Sequence, residues 1–244
     1  MVSVMNIHGV ALTEADYSRL AESWIDRDLA DQALIRRVTG PEAAAIVGRK
    51  DNGTMAGIIF PYIWPGDSSV RAYRLRRDHP PLEYGSDGKA REREKYLSAP
   101  GQGNRLYIVP GTNPVWLQDQ TIPVAITEGE KKAISLYRLS LYGRGLDNPS
   151  PRFLPLGIPG VWCWKGTIGK APGPNGERRD VKGPIPDLNR VNWKGRIVFI
   201  VFDHNVYTNT KVAGARKDLS NELTRRGAEV KWVDIPQCLE GRDG

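Results

Sequence analysis

The chain has 244 residues, of which 40% are hydrophobic, enough to build one large core or two smaller ones. It carries 35 Lys and Arg against 28 Asp and Glu, which gives a formal net charge of +7. No apolar run reaches the roughly 18 residues that a membrane-spanning helix needs, and we expect no export signal at the N-terminus. The two cysteines, Cys163 and Cys238, are too few for a disulfide scaffold and favour a cytoplasmic protein.

The positive charge is concentrated in two parts of the chain. Residues 151–200 hold nine basic and three acidic residues, and a second basic cluster begins at Arg71. Clustered cations indicate a polyanionic partner, most simply nucleic acid. A solvated surface that keeps the protein soluble would produce the same pattern.

The first fifty residues have the spacing of short helices. Thr13 is a candidate helix start because Glu14 and Asp16 follow it in the first turn. Apolar residues at helical spacing predict a second helix over residues 28–38, and Pro41 is placed to begin a third. We therefore predict a small helical cap over residues 1–50.

Residues 51–115 have the alternation of β-strands together with many cations. Strands are predicted over residues 57–64, 70–76 and 105–109. In the second of these, Arg74 lies on one face, whereas Leu75 and Arg77 lie on the other. This part of the chain is predicted to be a basic, β-rich subdomain.

Residues 116–244 alternate between apolar strands and amphipathic helices. Strands are predicted over residues 124–127, 197–202 and 229–235, and helices over residues 130–142 and 211–226. This rhythm predicts an α/β domain with a parallel sheet and helices on both of its faces. The basic, Gly- and Pro-rich segment from Lys165 to Pro186 is predicted to be a loop that contacts nucleic acid.

Two acidic residues follow predicted strands of this α/β domain. Glu128 follows the first strand and is itself followed by Gly129, while Asp203 follows the long apolar strand. Ligands of open α/β sheets bind at the carboxyl ends of the strands, where two carboxylates can hold Mg²⁺. Taken singly, each residue would also serve as a local cap of a helix or turn, but the pair favours a metal site.

The segments Ile126-Thr-Glu-Gly-Glu130 and Val201-Phe-Asp-His-Asn205 resemble the two signature motifs of the Toprim domain. That domain occurs in bacterial-type primases, in topoisomerases and in some nucleases. Upstream, Tyr73-Arg-Leu-Arg76 and Lys95-Tyr-Leu-Ser-Ala-Pro100 resemble blocks of the bacterial primase core. The chain is most similar to an uncharacterised Toprim-like family of phage and mobile-element replication proteins.

The resemblance implies a Toprim-like, Rossmann-type domain and primer synthesis from nucleoside triphosphates on single-stranded DNA. Glu128 and Asp203 would be catalytic, and with Asn205 they would bind Mg²⁺ or Mn²⁺. A replicative helicase, in the same or another chain, is the implied partner. The residues expected to contact nucleic acid or nucleotide are Arg74, Arg76, Arg77, Lys95, Tyr96, Lys131, Lys132, Lys165 and Lys170.

Asn205 departs from the Toprim pattern, which usually has an aspartate at this position. An amide keeps an oxygen ligand but removes one negative charge from the site, so metal affinity should fall. We expect Asn205→Asp to tighten metal binding. Two alternatives to an active primase therefore stay open, namely a weak or inactive Toprim module that binds nucleic acid and a metal-dependent Toprim nuclease.

Overall fold

The computed structural model describes residues 7–85, 88–144, 150–174 and 176–235, with His204 and Asn205 described for their backbone alone. The chain divides into two compact units, Met1–Gln102 and Gly103–Gly244. The predicted helical segment 1–50 therefore shares one unit with most of the predicted β-rich subdomain.

Helix α1 (Glu14–Ala21) begins where the sequence predicted, because Thr13 forms a capping box with Asp16. Helix α2 (Arg27–Gln32) is capped by Asp26, and helix α3 (Gly40–Ile46) is capped by Thr39. Each cap accepts a hydrogen bond from a backbone N–H that has no partner within the helix. Local sequence signals thus fix all three starts.

The predicted helix over residues 28–38 is wrong in its second half. The helix ends at Gln32, and Leu34 has a φ of 55°, which breaks the helical path. Arg36–Val38 instead forms strand β1, which pairs antiparallel with strand β2 (Gly57–Tyr62). Pairing with a strand about twenty residues away in sequence outweighs the local helical spacing.

The first unit contains a four-stranded sheet of order β1-β2-β3-β6, where β3 is Ala72–Arg77 and β6 is Tyr96–Ser98. Strands β4 (Leu82–Tyr84) and β5 (Ala90–Glu92) form a separate antiparallel pair. Strand β2 is buried along its whole length. Helix α3 packs on the sheet through a core formed by Val38, Ala43, Ala44, Val47, Met55, Ile59, Leu75 and Leu97.

The second unit contains the predicted parallel sheet, in the order β12-β11-β7-β8. Its strands are β7 (Val124–Glu128), β8 (Leu154–Ile158), β11 (Ile197–Val201) and β12 (Glu229–Val233). Helix α4 (Glu130–Leu141) follows β7, and helix α5 (Thr210–Arg225) precedes β12. The mixed α/β architecture is therefore confirmed.

Three segments differ from the sequence-based prediction in this unit. Strand β8 was not predicted, whereas the predicted strand over residues 105–109 forms only a bridge between Tyr107 and Gly157. The segment from Lys165 to Pro186 is not a loop, because it folds into strands β9 (Lys165–Pro172) and β10 (Arg178–Pro184). These two strands pair antiparallel with each other as a separate two-stranded sheet.

Across the described ranges, none of the five helices is long and apolar enough to cross a membrane.

Candidate active site at the ends of two parallel strands

Strands β7 and β11 are neighbours in the parallel sheet, and this adjacency creates the candidate site. Their last paired residues are Thr127 and Val201. Glu128 comes directly after Thr127, and Asp203 lies two residues after Val201. Both acidic residues therefore lie at the carboxyl edge of the sheet, where open α/β sheets bind ligands. Each is partly buried.

A sharp turn at Gly129 connects β7 to α4. Its φ of 84° and ψ of 161° lie in a region that only glycine adopts without strain. The Gly129 N–H donates to the carbonyl of Ile158 at 2.8 Å, which fixes the turn to strand β8. Gly129 is the N-cap of α4, where no side chain caps the helix.

Lys132, in the first turns of α4, forms an ion pair with Asp203. Lys132 was expected to contact a phosphate, whereas in the structure its ammonium donates to the Asp203 carboxylate. The two side chains are 34% and 22% exposed, so solvent reaches both. The edge of the sheet thus combines two carboxylates with one ammonium group.

The site offers hard oxygen ligands that suit Mg²⁺, which binds to few protein carboxylates and keeps several waters. Glu128 and Asp203 offer such oxygens, and a metal ion at Asp203 would replace the ammonium of Lys132. Within the described ranges, no three His, Cys, Asp or Glu residues group closely enough to hold a metal ion. The Asn205 side chain lies outside the described residues, although its backbone belongs to a short 3₁₀ helix, His204–Tyr207.

Arg196 holds the starts of β7 and β11 together. Its guanidinium is fully buried and donates to the carbonyls of Ile122 at 2.6 Å, Trp116 at 2.7 Å and Leu117 at 2.9 Å. Burial lowers the pKa of Arg196 to about 10, because the charged form loses solvent. In the sequence it counted toward the basic cluster, but in the structure it stabilises the sheet.

Two buried polar residues close to the motif carried no assigned role in the sequence analysis. Glu130, directly after the turn, is 1% exposed, and Tyr107 is fully buried. Burial raises the pKa of the Tyr107 hydroxyl well above 10, and the charge of Glu130 raises it further. Tyr107 also exchanges two backbone hydrogen bonds of 2.8 Å with Gly157 of β8, beside the turn. No local pattern in the sequence signals this packing.

In the first unit, some of the predicted nucleic-acid residues lie together on one face of the sheet. Arg74 and Arg76 of β3 pair with Ser98 and Tyr96 of β6, and all but Ser98 are partly buried. The Arg74 guanidinium lies over the Tyr96 ring, 5.0 Å from its centre. A basic and aromatic surface of this kind suits a phosphate backbone with stacked bases.

Arg77 and Lys95 have partners within the same unit. Arg77 is 2% exposed and donates to the carbonyl of Thr54 at 2.8 Å, so it has no surface with which to contact nucleic acid. Lys95 is partly exposed and forms an ion pair of 2.5 Å with Glu92. Alternation of the strand predicted the face of Arg77, but only its tertiary contacts show its burial.

The remaining predicted cations belong to the second unit. Lys131 is partly buried on α4, beside Lys132. Lys165 begins β9 and forms an ion pair of 3.1 Å with Asp218, while Lys170 is exposed in the middle of β9.

Comparison with protein families gives one match, to the family described as "Domain of unknown function (DUF3854)", over residues 115–244. This region is more than half of the chain. The chain belongs to the DUF3854 family. The DUF3854 region contains the whole parallel sheet, both candidate carboxylates and the β9–β10 pair. No curated protein and no solved structure matches the chain.

Proposed function

We propose that this DUF3854 protein is a nucleic-acid-binding, metal-dependent nucleotidyltransferase of the primase type, with a Toprim-like parallel-sheet unit. The observation that carries the proposal is the adjacency of β7 and β11, which brings Glu128 and Asp203 to one edge of the sheet. A β-α unit with a carboxylate after each of two neighbouring parallel strands is suited to phosphoryl transfer. The basic surface on the first unit supports a nucleic-acid substrate.

In this proposal, Glu128 and Asp203 are the residues that would hold Mg²⁺ or Mn²⁺. When bound, the ion would neutralise charge on the triphosphate and lower the pKa of the attacking hydroxyl. Lys132, whose ammonium lies at the same edge of the sheet, would bind a phosphate oxygen of the substrate. Lys131, its neighbour on α4, adds a second positive charge.

The substrate strand is proposed to follow the face of the first unit that carries Arg74, Arg76 and Tyr96. The two guanidinium groups neutralise phosphates, and the Tyr96 ring supports a base by stacking. Single-stranded DNA suits this arrangement because its bases are free to stack. Nucleoside triphosphates are the second substrate.

The test is a primer-synthesis assay on single-stranded DNA with labelled nucleoside triphosphates, in Mg²⁺ and in Mn²⁺. Glu128→Gln should abolish synthesis, because it removes a ligand charge while keeping the size of the side chain. The matched control is Glu229→Gln, an exposed carboxylate in the same unit that forms an ion pair with nearby Lys231. Synthesis that persists in Glu128→Gln, or no synthesis by the parent protein, would refute the proposal.

A second candidate function is favoured by the ion pair between Lys132 and Asp203. An ammonium group on one of the two carboxylates leaves little net negative charge for a divalent cation, and Asn205 adds none. The protein would then bind nucleic acid without catalysis. Binding that is unchanged by Glu128→Gln and independent of Mg²⁺, together with no synthesis, would establish this function.

A further inference from the structure

Strands β9 (Lys165–Pro172) and β10 (Arg178–Pro184) form a ribbon that pairs with no other strand among the described residues. The outer part of the ribbon, residues 167–170 and 178–182, is exposed. A two-stranded ribbon of this kind is marginally stable by itself in water. An exposed ribbon on a stable sheet domain is therefore a candidate for contact with a partner.

The two faces of the ribbon differ in chemistry. Asp180 of β10 lies opposite Lys170 of β9, so both side chains are on one face of the ribbon. Arg178 and Lys182 lie two residues before and after Asp180, and they therefore share this face. Lys182 lies 3.3 Å from Asp180, which is the one acidic residue among these three cations. This face is called the cationic face, and it carries Lys170, Arg178 and Lys182.

The opposite face is small and apolar. Val181 and Ile168 are 39% and 46% exposed there, and the remaining positions are mainly Gly and Ala. Ile168 covers Gly183, where an added Cβ would lie 2.7 Å from the isoleucine Cδ1. Arg179 also lies on this face and is paired with Glu177 near the tip. Because Arg179 and Glu177 neutralise each other, the net positive charge of the outer ribbon lies on the cationic face.

The base of the ribbon is held firmly by the second unit. The Lys165 ammonium lies 4.3 Å from the centre of the Trp162 ring and 4.9 Å from that of Trp164, and it pairs with Asp218. Asn104 donates to the carbonyl of Lys165 at 3.0 Å. A fixed base means that the ribbon is presented in one direction, which lowers the entropy cost of binding.

We propose that the β9–β10 ribbon binds along a groove of double-helical nucleic acid through its cationic face. A two-stranded ribbon fits the major groove, which is about 12 Å wide. Seven residues of β10 span roughly 23 Å, close to seven base pairs. The three cations of this face meet phosphates at the groove edge, and its charge complements the duplex.

The sequence of the ribbon favours a duplex over a single strand. Residues 165–184 contain five basic and two acidic residues and no Phe, Tyr or Trp. Single strands are bound through aromatic rings on which bases stack, and the ribbon has none. This inference goes beyond the proposed synthesis and does not depend on the carboxylates at the sheet edge.

The test measures binding of the full chain to a labelled 20-base-pair DNA duplex and to one of its single strands, by fluorescence anisotropy. All measurements are made in EDTA without nucleotides, so that failure of the proposed synthesis has no effect on the result. The test variant is Lys170→Ala/Arg178→Ala/Lys182→Ala. The control removes three exposed lysines elsewhere in the second unit, by Lys194→Ala/Lys217→Ala/Lys231→Ala.

We expect the test variant to bind the duplex roughly 10- to 100-fold more weakly at 0.1 M salt. The slope of log affinity against log salt concentration should fall by the amount expected for about two to three phosphate contacts. The loss of duplex affinity in the control should be at least fivefold smaller than the loss in the test variant. Lys170→Arg/Lys182→Arg, which keeps both charges, should retain parental affinity, and it shows that a loss does not come from an altered ribbon.

Equal losses in the test variant and the control would overturn the proposal. So would parental duplex affinity in the test variant. A parent chain that binds no duplex at 0.05 to 0.1 M salt would overturn it as well, whatever the outcome of the synthesis assay.

Discussion

Lys132 of helix α4 forms an ion pair with Asp203, which lies 71 positions further along the chain at the end of β11. The ion pair joins helix α4, which follows the candidate ligand Glu128, to the second candidate ligand, Asp203. It stabilises the edge of the sheet when no divalent cation is bound. It also means that a metal ion at Asp203 must compete with an ammonium group that belongs to the protein.

Removal of this competing charge should strengthen metal binding. We expect Lys132→Ala to raise the affinity for Mn²⁺ about 1.5- to fivefold, the range expected for loss of a partly exposed ion pair. Mn²⁺ titration followed by electron paramagnetic resonance measures the effect. Lys131→Ala, which removes the neighbouring charge on the same helix, is the control, and equal affinities in the two variants would contradict the prediction.

The turn at Gly129 should be sensitive to any side chain. An added Cβ would meet no atom within 4 Å, so the whole cost of Gly129→Ala comes from its φ of 84°. We expect the free energy of unfolding to fall by about 1–3 kcal/mol. Gly103→Ala is the control, because its Cβ is equally unobstructed without a positive φ. Urea unfolding of the two variants should therefore differ, and coincident transitions would show that the turn is unstrained.

Arg196 should be among the residues on which the second unit most depends. In Arg196→Met, the carbonyls of Trp116 and Ile122 lose the hydrogen bonds that Arg196 donates, whereas the Leu117 carbonyl still accepts from the N–H of Asn192. We expect a loss of roughly 3–5 kcal/mol in the free energy of unfolding, since each buried unpaired carbonyl costs about 1–3 kcal/mol.

The control for this prediction is Lys194→Met, an exposed cation two residues away. It should change the stability by less than about 0.5 kcal/mol. Arg196→Lys keeps the charge but donates in fewer directions, and its stability should lie between those of Arg196→Met and the parent. A parental unfolding midpoint for Arg196→Met in thermal denaturation would refute the structural role.

Acid should weaken the first unit through Asp16. Burial raises the pKa of this carboxyl. Hydrogen bonds from Arg37 and Thr13 lower the pKa by a larger amount, so the pKa in the folded protein lies below its ordinary value of 3.8. A carboxyl whose pKa is lower in the folded than in the unfolded state stabilises the fold at pH values above its unfolded-state pKa. This contribution is lost as the pH falls through the pKa of the folded state.

We therefore expect the difference in stability between the parent and Asp16→Asn to be largest near pH 6 and to shrink between about pH 4 and pH 2. Thermal unfolding across this range measures the difference. Asp67→Asn, an exposed carboxylate in the same unit, should show little difference at any pH. A difference for Asp16→Asn that stays constant down to pH 2 would contradict the assigned cause.

Short-range patterns in the sequence determined the elements that carry the candidate site. The capping box at Thr13, the apolar run of β11 and the Glu128-Gly129 step act within a few residues, so their structures could be predicted. The parallel sheet followed from alternating strands and helices. The placement of Glu128 and Asp203 at the ends of strands needed no tertiary information either.

Tertiary structure alone decided which strands are neighbours and which cations are used internally. Arg36–Val38 became a strand because β2 offered it backbone partners, against its helical spacing. Arg77 and Arg196 look like surface charges in the sequence, yet carbonyls from other parts of the chain bind them in the interior. Pairing and burial depend on groups that are distant in sequence, whereas capping and periodicity depend on neighbours.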